Sequence, residues 1–191
     1  MEKIIDGTGT GRLLKINEYN AAEVCAIIHT EESGRAELGF SFGISTKVIT
    51  LNSTNPHLFL YIKNINPNMN MRIWITNISW NGGSTNHNRT LKWSMVGIPN
   101  EPTANHTPIT PLNLNFTSGN TAEVTAYKWD GVGDGMTYTG GIITLEHIYR
   151  QGFTANETHG IPIIGFNGAL GFMVTGEEAG DVSIAVRFFY K

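Results

Sequence analysis

The sequence predicts an all-β protein, an antiparallel β-sandwich with jelly-roll-like connectivity and an extended N-terminal arm. The clearest observation is residues 181–191, where apolar residues alternate with small or charged ones, because a period of two is typical of a half-buried strand. Short runs with the same period recur at intervals of roughly 8–16 residues, the spacing of a sandwich or barrel. Charged residues make up only 15% of the chain, and Asn, Thr, Ser and Gly carry its polarity, which favours strands and turns over helices.

Residues 1–35 are predicted to form the arm, or attachment segment, and residues 36–191 the sandwich body. The sequence GTGTG at residues 7–11 is typical of an extended lead-in. Residues 12–16 fit a short strand, residues 18–28 fit a helix or a strand, and residues 31–35 fit a polar turn. A chain of 191 residues is long enough to bury its own core without disulfides or a metal.

The body contains roughly ten predicted strands, and two long connections stand out among them. Residues 81–90 contain a Gly-Gly pair and several Asn, which predicts a hairpin loop between two tryptophan-bearing strands. Residues 97–111 contain four prolines and are predicted to hold no central strand or helix, which is typical of a contact or binding loop. The regular face of residues 182–190 predicts a central or core-facing strand.

The charge pattern argues against two classes of partner. The formal net charge is −3 and lysines and arginines are scattered singly, whereas nucleic-acid binders usually carry a basic patch. No stretch reaches the ~18 apolar residues of a membrane span, and the N-terminus lacks the apolar segment of a signal peptide. We therefore expect no nucleic-acid or membrane partner, and a soluble protein synthesised in a host cytoplasm. The single Cys25 fits a small buried hydrophobe better than a reactive thiol.

No cofactor, metal or catalytic residue is predicted, so the chain is not expected to be an enzyme. It lacks a nucleophile elbow, a phosphate loop, a cysteine pair and paired catalytic carboxylates. Asp130 and Asp134 are weak candidates for a cation site because carboxylate oxygens bind Ca²⁺, but Asp and Gly are also ordinary turn residues. The six histidines are widely separated, and none forms the i, i+4 pair that presents two imidazoles to one metal.

Loop and tryptophan residues are candidates for an interface or a ligand site. Trp80 and Trp93 flank the same loop, and they fit the core, a subunit interface or an aromatic platform for sugars. Asn86, His87 and His106 lie in the two long connections. Their side chains would converge if both connections lie at one end of the sandwich.

Phe189 is a further interface candidate because it interrupts the alternation of the last strand. It places an apolar ring on the outward face that also carries Arg187 and Lys191. An apolar ring on a small and basic face predicts a subunit contact.

Six stretches of the sequence are distinctive when taken together: IDGTGTGRLLKI, KVITL, LFLYIKN, WNGGSTNHNRT, NLNFTSGNTAEVTAYKWDG and GDVSIAVRFFYK. Together they resemble virion structural proteins of tailed bacteriophages, the small β-rich subunits of head decoration, fibres or tails. The resemblance spans most of the chain and rests on patterns that determine the fold. It implies no catalytic residues, and it implies a symmetric oligomer, often a trimer, attached to a capsid or tail by its N-terminal arm.

The leading functional hypothesis is a virion protein that decorates or cements the capsid, with the major capsid protein or other virion subunits as partners. Its expected location is the virion, on the capsid surface or on the tail. The alternative is a tail- or fibre-associated module whose loops at residues 81–90 and 97–111 recognise host surface glycans. A glycan-cleaving enzyme is a third hypothesis, and the sequence offers no catalytic residues for it.

Overall fold

The computed structural model describes residues 15–16, 22–23, 31–51, 54–82, 90–150, 154–155 and 162–191. The chain divides into two compact units, Met1–Thr30 and Glu31–Lys191. In the described part of the first unit, β1 (Lys15–Ile16) pairs with β2 (Ala22–Glu23) in antiparallel orientation. The second unit begins with helix α1 (Glu31–Glu37), and the predicted boundary between arm and body at residues 35 and 36 falls inside this helix.

Helix α1 stands where the sequence predicted a polar turn, so that prediction is wrong. Glu and Ala are good helix formers, and Arg35 in the last turn complements the helix dipole. Gly39 ends the helix with a φ of 74°, and its N–H donates to the carbonyl of Ala36 at 3.0 Å, as is usual at helix C-termini. A polar composition over five residues does not distinguish a turn from one short helix.

The other described elements of the second unit are strands, which form two antiparallel sheets packed together as a sandwich. The first sheet has the order β12-β6-β15-β3-β9, with β13 beside β6 and β4 beside β15, and the second has the order β11-β7-β14-β5-β10-β8. The predicted all-β antiparallel sandwich is therefore confirmed. The strands are β3 (Ser41–Ser45), β4 (Ile49–Leu51), β5 (His57–Asn64), β6 (Met71–Gly82), β7 (Thr90–Pro99), β8 (His106–Pro108), β9 (Leu112–Asn113), β10 (Val124–Trp129), β11 (Gly140–Arg150), β12 (Thr154–Ala155), β13 (Ile163–Ile164), β14 (Ala169–Gly176) and β15 (Gly180–Tyr190).

Strand β15 lies in the middle of the first sheet and supplies one wall of the core. It pairs with β6 on one side and with β3 and β4 on the other. Its five alternate apolar side chains, from Val182 to Tyr190, are no more than 2% exposed. They share one core with apolar side chains of the second sheet, including Leu60, Trp93 and Phe172. The predicted central, core-facing strand is confirmed.

The connection between β6 and β7 is not a hairpin, so this prediction is wrong. β6 belongs to the first sheet and β7 to the second, and the chain passes from one layer to the other between them. Alternation in a sequence reports which face of a strand is buried, not which strand lies beside it.

The proline-rich segment at residues 97–111 contains the end of β7 and an edge strand. β7 ends at Pro99, and β8 lies at the outer edge of the second sheet, where it pairs with β10. Proline lacks the N–H that a central strand must donate, so strand ends and edges are the positions that tolerate it. The prediction that this segment holds no central strand is therefore wrong at its start, where Gly97 on β7 pairs with both β11 and β14. The remainder of the segment contains only the edge strand β8 among its described elements.

Asn64, at the end of β5, fixes the turn that follows it. Its side chain is fully buried; Nδ2 donates to the carbonyls of Met69 at 2.9 Å and Ile164 at 3.1 Å, and Oδ1 accepts from the N–H of Asn66 at 2.9 Å. We expect Asn64→Ala to lower the free energy of unfolding by about 2–4 kcal/mol, because it leaves buried backbone groups without partners. Urea denaturation measures this change.

Asn100→Ala is the matched control for Asn64→Ala. The Asn100 side chain also donates one hydrogen bond, to Thr139 Oγ1 at 3.0 Å, but this bond is exposed to solvent. We expect its loss to cost less than about 1 kcal/mol. Equal costs for the two variants would contradict the role assigned to Asn64.

Candidate interaction surfaces

Trp80 and Trp93 lie in the core. They are 3% and 1% exposed and belong to the cluster of apolar side chains between the two sheets. Of the three interpretations that the sequence left open, the structure supports the core for both, and neither ring is placed to contact a partner or a sugar. Asn86 and His87 lie outside the described residues.

Phe189 does lie on the outward face of β15, but it is buried there. It is 3% exposed, and its ring meets that of Trp74, on the neighbouring strand β6, edge to face at a centroid distance of 5.2 Å. An edge-to-face aromatic pair is a favourable contact within one chain. The predicted subunit contact of Phe189 is therefore wrong, because a ring buried in this way offers almost no surface to another subunit.

His106 belongs to a group of side chains that we call the tyrosine cluster, consisting of Tyr61, Glu101, His106 and Tyr127. The His106 and Tyr127 rings meet at a centroid distance of 4.4 Å. Tyr61 and Tyr127 are cross-strand neighbours on β5 and β10, and their rings stack at 6.1 Å. The Tyr127 hydroxyl donates to Glu101 Oε1 at 2.8 Å. The cluster thus combines aromatic rings with a carboxylate on the proline-rich segment.

Burial raises the pKa of Tyr61 to about 12, and the charges of Glu101 and Tyr127 add to this effect. The tyrosines of an unfolded chain ionise near a pKa of ~10, so the folded state keeps Tyr61 neutral at a pH where the unfolded state does not. The stabilisation is complete below pH 10 and is lost as the pH rises from about 10 to 12. We expect the free energy of unfolding of the wild type to fall across this range, and less steeply in Tyr61→Phe.

Urea denaturation of both proteins between pH 8 and pH 12 measures this difference, with the values at pH 8 as the baseline. Tyr190 also contributes to the fall in both proteins, since burial raises its pKa. Parallel curves for wild type and Tyr61→Phe would contradict the assignment of the raised pKa to Tyr61.

Asp130 and Asp134 lie in the turn between β10 and β11, and both carboxylates accept hydrogen bonds from within the chain. Asp130 Oδ1 accepts the N–H of Val132 at 2.8 Å, and Asp134 Oδ2 accepts from Asn55 Nδ2 at 3.0 Å. An aspartate that accepts a backbone N–H two residues later is an ordinary turn device. In the part of the chain that the structure describes, no group of three or more His, Cys, Asp or Glu side chains is arranged to hold a metal ion. These contacts favour the turn interpretation.

Strand β11 forms an apolar edge of the second sheet. It pairs with β7 on one side, and no described strand lies on its other side. Ile142, Ile143 and Ile148 of this strand are 67%, 49% and 67% exposed. The Lys92–Glu146 ion pair, at 2.8 Å, links β7 to β11, and the hydrogen bond from Lys92 lowers the pKa of Glu146. An exposed, largely uncharged edge is a surface on which chains associate.

A groove of about 400 Å³ lies against β3 and β15, and we call it the β3–β15 groove. The sequence did not predict it. One signal was present: Gly43 and Ser45 on β3 and Ala185 on β15 are small residues on the outward faces of these strands, which leaves space where larger side chains usually stand. The residues that line it are Gly43, Ile44, Ser45, Lys47, Thr76, Ile109, Thr110, Leu112, Leu114, Ala185, Val186 and Arg187.

Neither a protein-family model nor a curated protein matches the sequence. Among the described residues, no helix is long and apolar enough to cross a membrane.

Proposed function

We propose that the chain is a structural subunit of a tailed-bacteriophage virion, which oligomerises and decorates or cements the capsid. The major capsid protein or other virion subunits are its partners, and the role is structural rather than enzymatic. The resemblance of the sequence to such subunits supports this proposal. A β-sandwich with few charged residues, 15% of the chain, also suits a protein whose surfaces pack against other subunits, because charged residues are depleted in interface cores.

The apolar edge of β11 is the observation that best supports oligomerisation. Monomeric proteins usually protect a long sheet edge with lysine, proline or a covering element. On β11, Ile142, Ile143 and Ile148 remain exposed instead. Burying the exposed part of each isoleucine against a neighbouring subunit would contribute roughly 1–2 kcal/mol. We therefore assign β11 to the contact between copies.

Ile148→Lys is expected to dissociate the oligomer, because it places a charge in the apolar contact. Light scattering during size-exclusion chromatography measures the mass, for which we expect three copies in the wild type and one in the variant. Ile163→Lys is the matched control, since Ile163 is 61% exposed but lies on β13 in the first sheet. A monomeric wild type, or dissociation by both substitutions, would refute the assignment of β11.

The location on the particle requires a separate experiment. Particles of the virus that encodes the chain are disrupted, heads and tails are separated on a density gradient, and an antibody locates the protein. Capsid decoration predicts that the protein sediments with heads. If the protein is present only in the tail fraction, capsid decoration is refuted and a tail protein is the alternative. If it is absent from both fractions, the proposed role in the virion is refuted.

Glycan recognition is a second candidate, and the tyrosine cluster is the observation that favours it. Tyr61 is buried, but the half-buried rings of His106 and Tyr127 lie beside the exposed Glu101, and rings with a carboxylate suit the apolar face and the hydroxyl groups of a sugar. Trp80→Ala would not test this function, because Trp80 is a core residue. Saturable binding on a glycan array that Tyr127→Ala abolishes, with the fold intact, would favour recognition over decoration.

A further inference from the structure

Ile98, near the end of β7, has a backbone conformation that its side chain disfavours. Its φ is 52°, in the left-handed region, which is an outlier for a residue branched at Cβ. Pro99 follows it, and a residue before proline favours the extended region instead. In the described part of the chain, the other non-glycine residues with a left-handed φ are Lys47, Asn105 and Asn167. None of these three is branched at Cβ, so the strain is greatest at Ile98.

The two neighbours of Ile98 hold it in this conformation. Gly97 pairs with both β11 and β14, so it is fixed inside the second sheet. Pro99 is buried and pairs with Gly140 of β11. Because both ends of the residue are fixed, Ile98 cannot relax to an extended conformation. Strained conformations persist where the surrounding structure determines them in this way.

The path of the backbone does not require isoleucine at this position. Gly140 and Gly141, across the ladder on β11, also have left-handed φ values, 71° and 89°, and glycine adopts such values without strain. Asparagine, which tolerates this region better than other non-glycine residues, occupies it at Asn105 and Asn167. At Ile98 the chain has neither residue type. The backbone conformation therefore does not account for the isoleucine side chain.

The packing of a single chain does not account for the Ile98 side chain either. Ile98 is 69% exposed, and Ile142, the partner of Gly97 across the ladder, is 67% exposed. The apolar surface of the β11 edge thus extends one strand inward, on to β7. We call the place where residues 93–100 and 139–145 meet the β7–β11 corner. Neither segment contains a charged residue, and charge is depleted in the cores of protein interfaces.

We propose that Ile98 is an anchor residue of the contact between copies, in which the neighbouring subunit covers it together with Ile142 and Ile143. This inference rests on the proposed oligomerisation through β11. A second copy is the occupant because the β7–β11 corner is continuous with the edge assigned to that contact. Removing the isoleucine side chain from water on association offsets the strain that it imposes on the separate chain.

Ile98→Asn separates the two consequences of this proposal, because asparagine tolerates a left-handed φ but removes the apolar side chain. Sedimentation equilibrium over a dilution series measures association. We expect the concentration of half-dissociation to rise at least about tenfold, since an isoleucine no longer leaves water at each contact. Urea denaturation in the monomeric Ile148→Lys background measures the strain. We expect the unfolding equilibrium constant there to fall about fivefold or more.

Two further variants serve as controls. Ile163→Asn is the matched substitution, because Ile163 is 61% exposed on β13 of the first sheet and its φ is not left-handed. We expect it to change association by less than about twofold and not to increase stability. Ile98→Leu keeps an apolar side chain without the branch at Cβ, and we expect it to retain most of the association.

The outcomes distinguish this inference from the β11 contact on which it rests. If Ile148→Lys dissociates the oligomer but Ile98→Asn associates as the wild type does, the β11 contact stands and the role of Ile98 is overturned. Equal weakening by Ile98→Asn and Ile163→Asn, or no gain in stability in Ile98→Asn, would also overturn it. A monomeric wild type would refute the β11 contact and the role of Ile98 together.

Discussion

Gly135→Ala is expected to lower the free energy of unfolding by about 3 kcal/mol or more, because two independent penalties coincide at this position. Gly135 has a φ of 87°, a value that suits glycine and strains any other residue. A Cβ atom there would also lie 2.7 Å from His57 Cα and 2.8 Å from the backbone nitrogen of Leu58. Both contacts are with backbone atoms of β5, so no side-chain rotation relieves them.

The matched control for this substitution is Gly119→Ala. A Cβ at Gly119 would meet no atom within 4 Å, and its φ is not in the left-handed range. We expect Gly119→Ala to change the free energy of unfolding by less than about 0.5 kcal/mol. Urea denaturation measures the free energy of unfolding of both variants. Equal stability of Gly135→Ala and Gly119→Ala would contradict the close approach of the turn between β10 and β11 to the backbone of β5.

Phe188→Ala is expected to cost about 3–5 kcal/mol, the usual range for removing a buried phenyl ring. Phe188 is fully buried on β15. Its ring stacks on Phe42 at a centroid distance of 5.4 Å and meets Tyr190 edge to face at 6.0 Å. Removing it therefore leaves a cavity between rings of β3 and β15, which are held by the same sheet and cannot collapse freely into it.

The same substitution at an exposed phenylalanine provides the control. Phe116 is 79% exposed, so Phe116→Ala should change the free energy of unfolding by less than about 0.5 kcal/mol. Thermal and urea unfolding followed by circular dichroism give both values. A small cost for Phe188→Ala would mean that the two sheets repack around the cavity, contrary to the close packing described above.

The faces of the strands could be predicted from the sequence because they depend on local alternation. Val182 and Phe188 face the core as the pattern indicates. The alternation fails in β6, where Ile73 and Ile75 face the core before Thr76, and Ile78 and Trp80 after it. The register with β15 shifts at this point, so that Thr76 is an extra residue. A single-residue bulge reverses which residues are buried, and its position depends on the partner strand.

Contacts between distant parts of the chain could not be predicted in this way. Phe189 was expected on the outward face, where it lies, but its burial against Trp74 requires knowing that β6 is the neighbour of β15. The β3–β15 groove has the same origin: Gly43 and Ala185 are 142 residues apart by their numbers, and only the pairing of β3 with β15 brings them together. Hence the fold class was predictable and the surfaces were not.

The central position of β15 has a consequence for synthesis on the ribosome. The strands that it joins, β3, β4 and β6, are synthesised well before it, so the first sheet lacks its middle strand until residues 180–190 have been added. The apolar side of β6 stays open to other nascent chains in that interval. Non-local pairing of this kind folds slowly and exposes intermediates to aggregation. We therefore expect the first sheet to close only after β15 has left the exit tunnel, and chaperone binding to be concentrated before that point.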